Sequence, residues 1–419
     1  MKDKLTNLLN KGFFHIFGSS VINQIVGFSS SIFLVRLLSK EQFGMFSYSQ
    51  NLLSFFLLFN GLGATAAILQ FASEKENKKE KLTILNYCVK FGIVFSLICS
   101  SLIIVLINIV PVKIDGAEII IKMMFLIPIF VFLFQSLQVY LRVLLENKKY
   151  SFLTSLNSVL ILVFSIIGAY LFEVEGVVIF RYIAYSITIV VGVLILKKDL
   201  LVPEKITVLS RNVKNEILKF SIISSVNNGV SQLLYIIDIF LIGIIISDET
   251  IIASYKVATL IPFALNFIPA SIMTFIYPYF ARNNCDKEWI KSNFIKVIKY
   301  LAILNGGLSL VLVVFSPFII KTIFGAEYLD SVIPFRILSL GYFVAGTFRI
   351  PVGNVLVMLR DVKFGFYLAI VTGIFNIVLD VILIKNFGSN GAAFATVSVY
   401  IFTSIVGVWY LMHKLKVQN

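Results

Sequence analysis

Runs of 18 or more residues without a charge recur along this chain from end to end. A run of that length is what a helix needs to cross the hydrocarbon of a bilayer. The chain is 58% hydrophobic with a mean hydropathy of +0.95, and 14% of its residues are charged. A soluble fold of 419 residues has no core large enough to hide that much apolar surface. The expectation is an all-α polytopic membrane protein of about twelve transmembrane helices.

The charged residues say how those helices thread the membrane. The net charge of +14 does not form a stripe of the kind that binds nucleic acid; the basic residues sit in short links between apolar runs. Twelve spans, from 13–38 to 391–412, put both termini on one side. The links on that side hold 25 Lys and Arg, and the opposite links hold five (Lys40, Lys113, Lys122, Lys321 and Lys385). The positive-inside rule makes the first side cytoplasmic. The N-terminal segment has basic residues, but its apolar run is interrupted by "GSSVINQ" and has no small-residue cleavage site. It reads as an uncleaved first helix in a bacterial cytoplasmic (inner) membrane. Cys88, Cys99 and Cys285 form no CxxC and leave an odd count, so neither a disulfide framework nor a metal site is expected.

The longest cytoplasmic link lies near the middle. It divides the chain into an N-terminal six-helix bundle (1–196), a linker (197–219) and a C-terminal six-helix bundle (220–419). The two bundles look like copies. At a shift of 207, "IFLVRLLSKEQFGMFSYSQNLL" (32–53) matches "IFLIGIIISDETIIASYKVATL" (239–260) at six of 22 positions. At a shift of 214, "LENKKYSF" (145–152) lies over "LRDVKFGF" (359–366). Both matches join segments of the same orientation, as parallel repeats do.

Several polar residues stand inside the spans, where a charge costs about 2.5–3.5 kcal/mol on insertion scales. Arg349, Arg36, Arg181, Lys90, Lys256 and Arg336 are the bases, and Asp238 and Asp380 are the clearest acids. Arg349 lies deep in its span. Arg36 reads as a headgroup anchor or as a contact at the outer mouth of a passage. Arg336 and Lys256 lie near the outer face, within snorkelling reach. Asp380, about one turn from a helix end, reads as a solvated terminal residue. The first helix of each half carries a polar face: Ser20, Asn23, Gly27 and Ser30 in one, and Ser225, Asn228, Gln232, Tyr235 and Asp238 in the other. Such a face is either a helix–helix seam or the wall of a hydrated passage. Asp238 has three readings: a coupling proton acceptor, a cation ligand, or an ion pair with Lys256. Pro262, Pro269 and Pro278 in the eighth span suggest a bent helix that can hinge.

Four stretches carry a family resemblance. The opening hairpin around Arg36 to Gly44, "GLGATAAILQFASE" (61–74), "IIKTIFGAEYLDSVIPFRILSLG" (319–341) and "FNIVLDVILIKNFGSNGAAFATVSVY" (375–400) resemble polysaccharide (O-antigen type) flippases. These belong to the multidrug/oligosaccharidyl-lipid/polysaccharide (MOP) exporter superfamily. The chain departs from the family at Asp380, in a run that elsewhere ends in Asn, and at Lys385-Asn386, where a proline is usual.

The resemblance implies a V-shaped pair of six-helix bundles working by alternating access. Its cargo would be a polyprenyl-pyrophosphate-linked oligosaccharide, moved to the outer leaflet for O-antigen or capsule biosynthesis. Membrane lipids and other polysaccharide assembly proteins would be partners, and nucleic acid would not. A cationic lumen of Arg349, Arg36, Arg181, Lys90 and Lys256 suits a diphosphate, with Asn23, Gln24, Asn228, Gln232 and Tyr235 for the sugar. No cofactor is expected, although Asp238 admits coupling to an H+ or Na+ gradient. The rivals are a flippase for a lipid-linked peptidoglycan precursor and a small-molecule drug exporter of the same superfamily. A membrane-embedded polymerase or ligase fits less well. The outer links are short, the two histidines, His15 and His413, stand at opposite ends of the chain, and no GxxxxGK[ST] loop occurs.

Overall fold

Polar residues between the apolar runs stop one helix and start the next. The computed structural model describes residues 14–200, 209–283, 286–359 and 361–416. Cys285 and residues 201–208 of the expected linker lie outside them, as does the side chain of Tyr235. The described residues are helical with short connections and contain no strand. They form two compact units, Met1–Gln232 and Leu233–Asn419.

The N-terminal unit comprises α1 (Phe14–Leu37), α2 (Lys40–Leu57), α3 (Ala64–Ser73), α4 (Lys78–Ile109), α5 (Ala117–Met123), α6 (Ile127–Val143) and α7 (Asn147–Leu200). The helix α8 (Arg211–Ile245) contains the boundary between the units. The C-terminal unit continues with α9 (Glu249–Leu265), α10 (Phe267–Arg282), α11 (Lys287–Val314), α12 (Ser316–Ile323), α13 (Val332–Val344), α14 (Ile350–Met358) and α15 (Val362–Lys416). A single π-turn, Ala345–Arg349, joins α13 to α14.

Among the described residues, eight helices are long and apolar enough to cross a membrane, and the bent pair α5 and α6, at 44°, makes a ninth. Two of the eight, α7 and α15, turn back on themselves and so cross twice. The apolar stretch of α8 among the described residues, Ile236–Ile245, is shorter than these.

The first turn of each unit is fixed by a capping side chain. Ser39 caps α2: its Oγ accepts from Gln42 N at 3.2 Å, and Gln42 Oε1 accepts from Ser39 N at 3.1 Å. Asp248 caps α9 by accepting from Thr250 N at 2.8 Å and Ile251 N at 3.2 Å.

The second span of each unit is broken, each time beside an asparagine. In the first, the chain leaves helical geometry at Asn60–Gly63, with φ of 61°, 46° and 72° at Gly61, Leu62 and Gly63. Asn60 holds the break: Nδ2 donates to Pro128 O at 2.7 Å, and Oδ1 accepts from Ser96 Oγ at 2.7 Å. The Phe132 ring occupies the space that a side chain at Gly61 or Gly92 would fill. In the second unit the break falls at Asn266, between Pro262 and Pro269.

Both long hairpins turn at a residue with positive φ, preceded in α7 by Phe172, which also leaves helical geometry. Glu173 (φ 51°, ψ −134°) reverses α7, and Gly388 (φ 59°, ψ −137°) reverses α15. The conformations are nearly the same, at a shift of 215 residues. Only glycine adopts this region without strain. Glu173 is held in it by a hydrogen bond from Gln42 Nε2 to its carboxylate. A methyl group on Gly388 meets only Ile246 Cδ1 at 3.8 Å, so substitution there tests backbone strain alone. Gly388→Ala is expected to cost about 1–3 kcal/mol, read as a lower melting temperature of the detergent-solubilised protein.

Candidate functional site

In the C-terminal unit, five polar side chains from three helices meet in the apolar interior. Asp238 stands on α8 and is 5% exposed. Tyr255 O–H, from α9, and Thr396 O–H, from α15, both donate to its Oδ2, the latter at 2.6 Å. Asp380, also on α15, is 0% exposed, and its Oδ2 accepts from Asn376 Nδ2 at 2.9 Å. The carboxyl groups of Asp238 and Asp380 lie close enough to influence each other's charge. One oxygen of each, Oδ1 in both cases, is buried without a hydrogen-bond partner.

The local sequence explains the convergence. Asn376 and Asp380 are four residues apart and share a helix face. Gly388 stands eight residues after Asp380 and eight before Thr396, so the reversal brings both back to one depth. Backbone contact across the hairpin keeps them there: Gly391 lies against the Leu383 carbonyl with no room for a Cβ.

Two sequence expectations are corrected here. Asp380 is not a solvated helix-end residue but fully buried, because the hairpin continues the helix past it. Asp238 makes no ion pair with Lys256 among the described residues; hydroxyl donors and the second carboxyl group take that place. Lys256 is half-buried on α9.

Counting eight residues either side of Glu173 finds the equivalent positions of the N-terminal unit, Ser165 and Arg181. Gly168 and Gly176 make the same backbone approach across that hairpin. Where one unit has Asp380 and Thr396, the other therefore has a serine and a guanidinium. Arg181 Nη2 donates to Gln50 Oε1 at 3.2 Å, and its guanidinium lies 5.1 Å from the centre of the Phe46 ring. Neither partner carries charge.

Arg349 ends the π-turn and stands 5.0 Å from the centre of the Tyr400 ring. At the same shift of 215, the N-terminal unit has Phe134 against Tyr185, ring centres 6.2 Å apart. A fold that accepts phenylalanine there does not need the arginine for packing.

The remaining expected site residues do not gather with these. Arg36 is exposed in the last turn of α1, and Lys90 is exposed on α4. Arg336 Nε donates to Ser316 Oγ at 2.7 Å and to Val313 O at 3.2 Å, which ties the start of α12 to α13. Asn23 is half-buried, with Oδ1 unpartnered, while Gln24, Asn228 and Gln232 are exposed. A seam between packed helices covers its amides, and these three are left uncovered.

The fold and the buried polar clusters define a class: multi-pass membrane proteins with paired helical units and polar groups set inside the spans. Comparison with known proteins narrows this. The profile of the family described as "Polysaccharide biosynthesis protein" matches residues 33–333, and the chain belongs to that family. An uncharacterized membrane protein of Methanocaldococcus jannaschii is 24% identical over 270 residues, covering 62% of this chain. That match spans about half the relative's length, 52%.

Solved structures share the fold at low identity. One described as "Lipid II flippase MurJ, inward closed conformation" superposes with a TM-score of 0.76 at 18% identity, covering 96% of this chain and 87% of its own. An inward-facing multidrug resistance MATE family transporter of the MOP superfamily gives 0.73 at 15%, covering 94% of both chains. A MOP superfamily transporter from Pyrococcus furiosus gives 0.60 at 13%, covering 97% and 94%. The protein has the fold of the MOP superfamily transporters.

Proposed function

We propose that this protein is a flippase and not an enzyme. In this reading it carries a polyprenyl-pyrophosphate-linked oligosaccharide from the cytoplasmic to the outer leaflet of a bacterial cytoplasmic membrane, by alternating access, for surface polysaccharide such as O-antigen or capsule. Both termini are cytoplasmic, as the distribution of basic residues indicates. The observation that carries the reading is the exposure of three amides, Gln24 on α1 and Asn228 and Gln232 on α8. An amide facing hydrocarbon costs several kcal/mol, so these groups require water inside the membrane.

A passage wetted there suits sugar hydroxyls. Arg181, held by an amide and a ring and not by a carboxylate, supplies a positive charge for a diphosphate. Lys90, Lys256 and Arg36 extend that charge, and Asn23 and Tyr235 extend the polar wall.

The carboxyl pair supports coupling to an H+ or Na+ gradient. Two buried carboxylates close together repel strongly unless a proton or a cation lies between them. The two unpartnered oxygens, with the Asn376 amide and the Thr396 hydroxyl alongside, are chemically suited to either. The likeness to a Lipid II flippase favours, as a second reading, a lipid-linked peptidoglycan precursor as cargo.

Deleting the gene and analysing lipid-linked glycans tests the proposal. Cytoplasm-facing lipid-linked oligosaccharide is expected to accumulate while surface polysaccharide falls. Normal surface polysaccharide without that build-up would refute it.

A further inference from the structure

Three neighbouring spans of the C-terminal unit are weakened at one level. α9 gives way to α10 at Asn266, and Pro269 has no N–H to offer the Leu265 carbonyl four residues back. α13 gives way to α14 at the π-turn, where Ile350 N donates to Ala345 O, five residues back. Pro351 likewise has no N–H for the Thr347 carbonyl. α11 carries the pair Gly306-Gly307, with open space where a side chain on Gly307 would be. Prolines, π-turns and glycine pairs are the places where helices bend. A Cβ added to Gly346, inside the π-turn, would lie 2.9 Å from Asn305 Nδ2 and 3.3 Å from Pro269 Cγ. The three weak points therefore touch one another.

The packing divides at the same level. α13 packs on α9 and α11, whereas α14 packs on α10 and α15. On the near side, Ser309 Oγ donates to Ser339 O at 2.8 Å and ties α11 to α13. On the far side, Met273 and Phe280 of α10, Ile290 and Phe294 of the first half of α11, and Val352 and Val355 of α14 share one buried apolar core. Each side is thus held within itself.

Asn305 stands at the join. Its Oδ1 accepts from Tyr342 O–H at 2.7 Å, before the π-turn, and its Nδ2 donates to Thr347 Oγ1 at 3.3 Å, inside it. All three residues are buried. One amide therefore fixes the wide turn from both of its ends, where an apolar residue would fill the same space without fixing it.

We infer that α10, the first half of α11 and α14 move as one flap about this level, with Asn305 as the latch that holds the π-turn in the setting described. The flap lets the unit open at one end while the other end stays packed. This goes beyond the transport reading and is read on distances, so either can fail without the other.

Pulsed dipolar spectroscopy of the full-length protein in lipid nanodiscs tests it, with its three cysteines replaced by alanine. Spin labels go on Leu340→Cys in α13 and Val357→Cys in α14, both exposed positions. About 25 Å of helix separates them. The wild type is expected to populate two distances. Asn305→Leu removes both bonds and should change their ratio about tenfold or more, and Tyr342→Phe, which leaves the Thr347 bond, should change it less. Pro351→Ala restores the missing N–H and should favour the straighter setting, and it decides the matter if Asn305→Leu does not fold. One distance common to wild type, Asn305→Leu and Pro351→Ala would overturn the inference. So would two distances whose ratio none of these substitutions changes.

Discussion

Asp380→Asn is expected to abolish gradient-driven transport while leaving the protein in the membrane at normal abundance. The substitution keeps the shape of the side chain, and an amide oxygen still accepts from Asn376. What it removes is one of the two buried acids, each of which has an oxygen without a hydrogen-bond partner. A lone carboxylate facing an amide no longer needs a shared proton, and it offers a cation half the charge. Losing about 3 kcal/mol of charge-assisted bonding corresponds to roughly a hundredfold lower occupancy. The measurement is the initial rate of translocation of lipid-linked oligosaccharide in proteoliposomes under an imposed H+ or Na+ gradient. Asp238→Asn should behave alike, and Tyr255→Phe should lose about tenfold, since it removes one donor and leaves both acids. Wild-type rates for Asp380→Asn under the same gradient would remove the pair from the coupling role.

Gly391→Val should prevent the protein from accumulating in folded form. The hairpin of α15 closes backbone to backbone, and a Cβ at 391 runs into the carbonyl of Leu383. Main-chain atoms cannot swing aside as a side chain can, so the two arms must part. That opens the packing that buries Asp380 and Thr396, for an expected loss of more than about 3 kcal/mol. Gly176→Val makes the same collision with Gly168 in the N-terminal unit. Gly307→Ala, which points into open space, should be neutral. Membrane abundance and the size-exclusion profile distinguish these outcomes.

The spans and the repeat were legible because each rests on a property carried along the chain: apolar length and matched segments. Breaks in helices were legible only where proline marked them. The eighth span gave notice through Pro262 and Pro269, but the second is interrupted at Asn60–Gly63 by glycines and a leucine in left-handed geometry. That geometry is stabilised by Asn60 reaching Pro128 and Ser96, distant in sequence.

The candidate site was half legible. Asp238 stands out as a charge in an apolar helix, and Lys256 is the base that closeness in sequence offers it. Tyr255, next to Lys256, does bond Asp238, whereas Asp380 and Thr396 lie more than 140 residues away. They reach Asp238 only because the chain reverses at Gly388. The run Asn376 to Asp380 did carry a signal, since an acid stands there where the resembling family has an amide. Its depth is not legible, because Lys385 and Asn386 look like the end of a span and are in fact part of a helix that continues to the turn. Arg181 and Arg349 were legible as unusual charges, whereas their aromatic partners were not.

The single-residue reversal at Gly388 also works as a ruler. Asp380 and Thr396 share a depth because equal lengths of helix run from the turn to each. One residue inserted between 389 and 395 would rotate Thr396 by about 100° around its axis and shift it by about 1.5 Å. Its hydroxyl would then face away from Asp238. Away from Asp380, Gly388 and Gly391, the segment from Asn376 to Thr396 therefore tolerates changes of residue far better than changes of length. Insertions belong in the polar links, where no two distant groups depend on a common count.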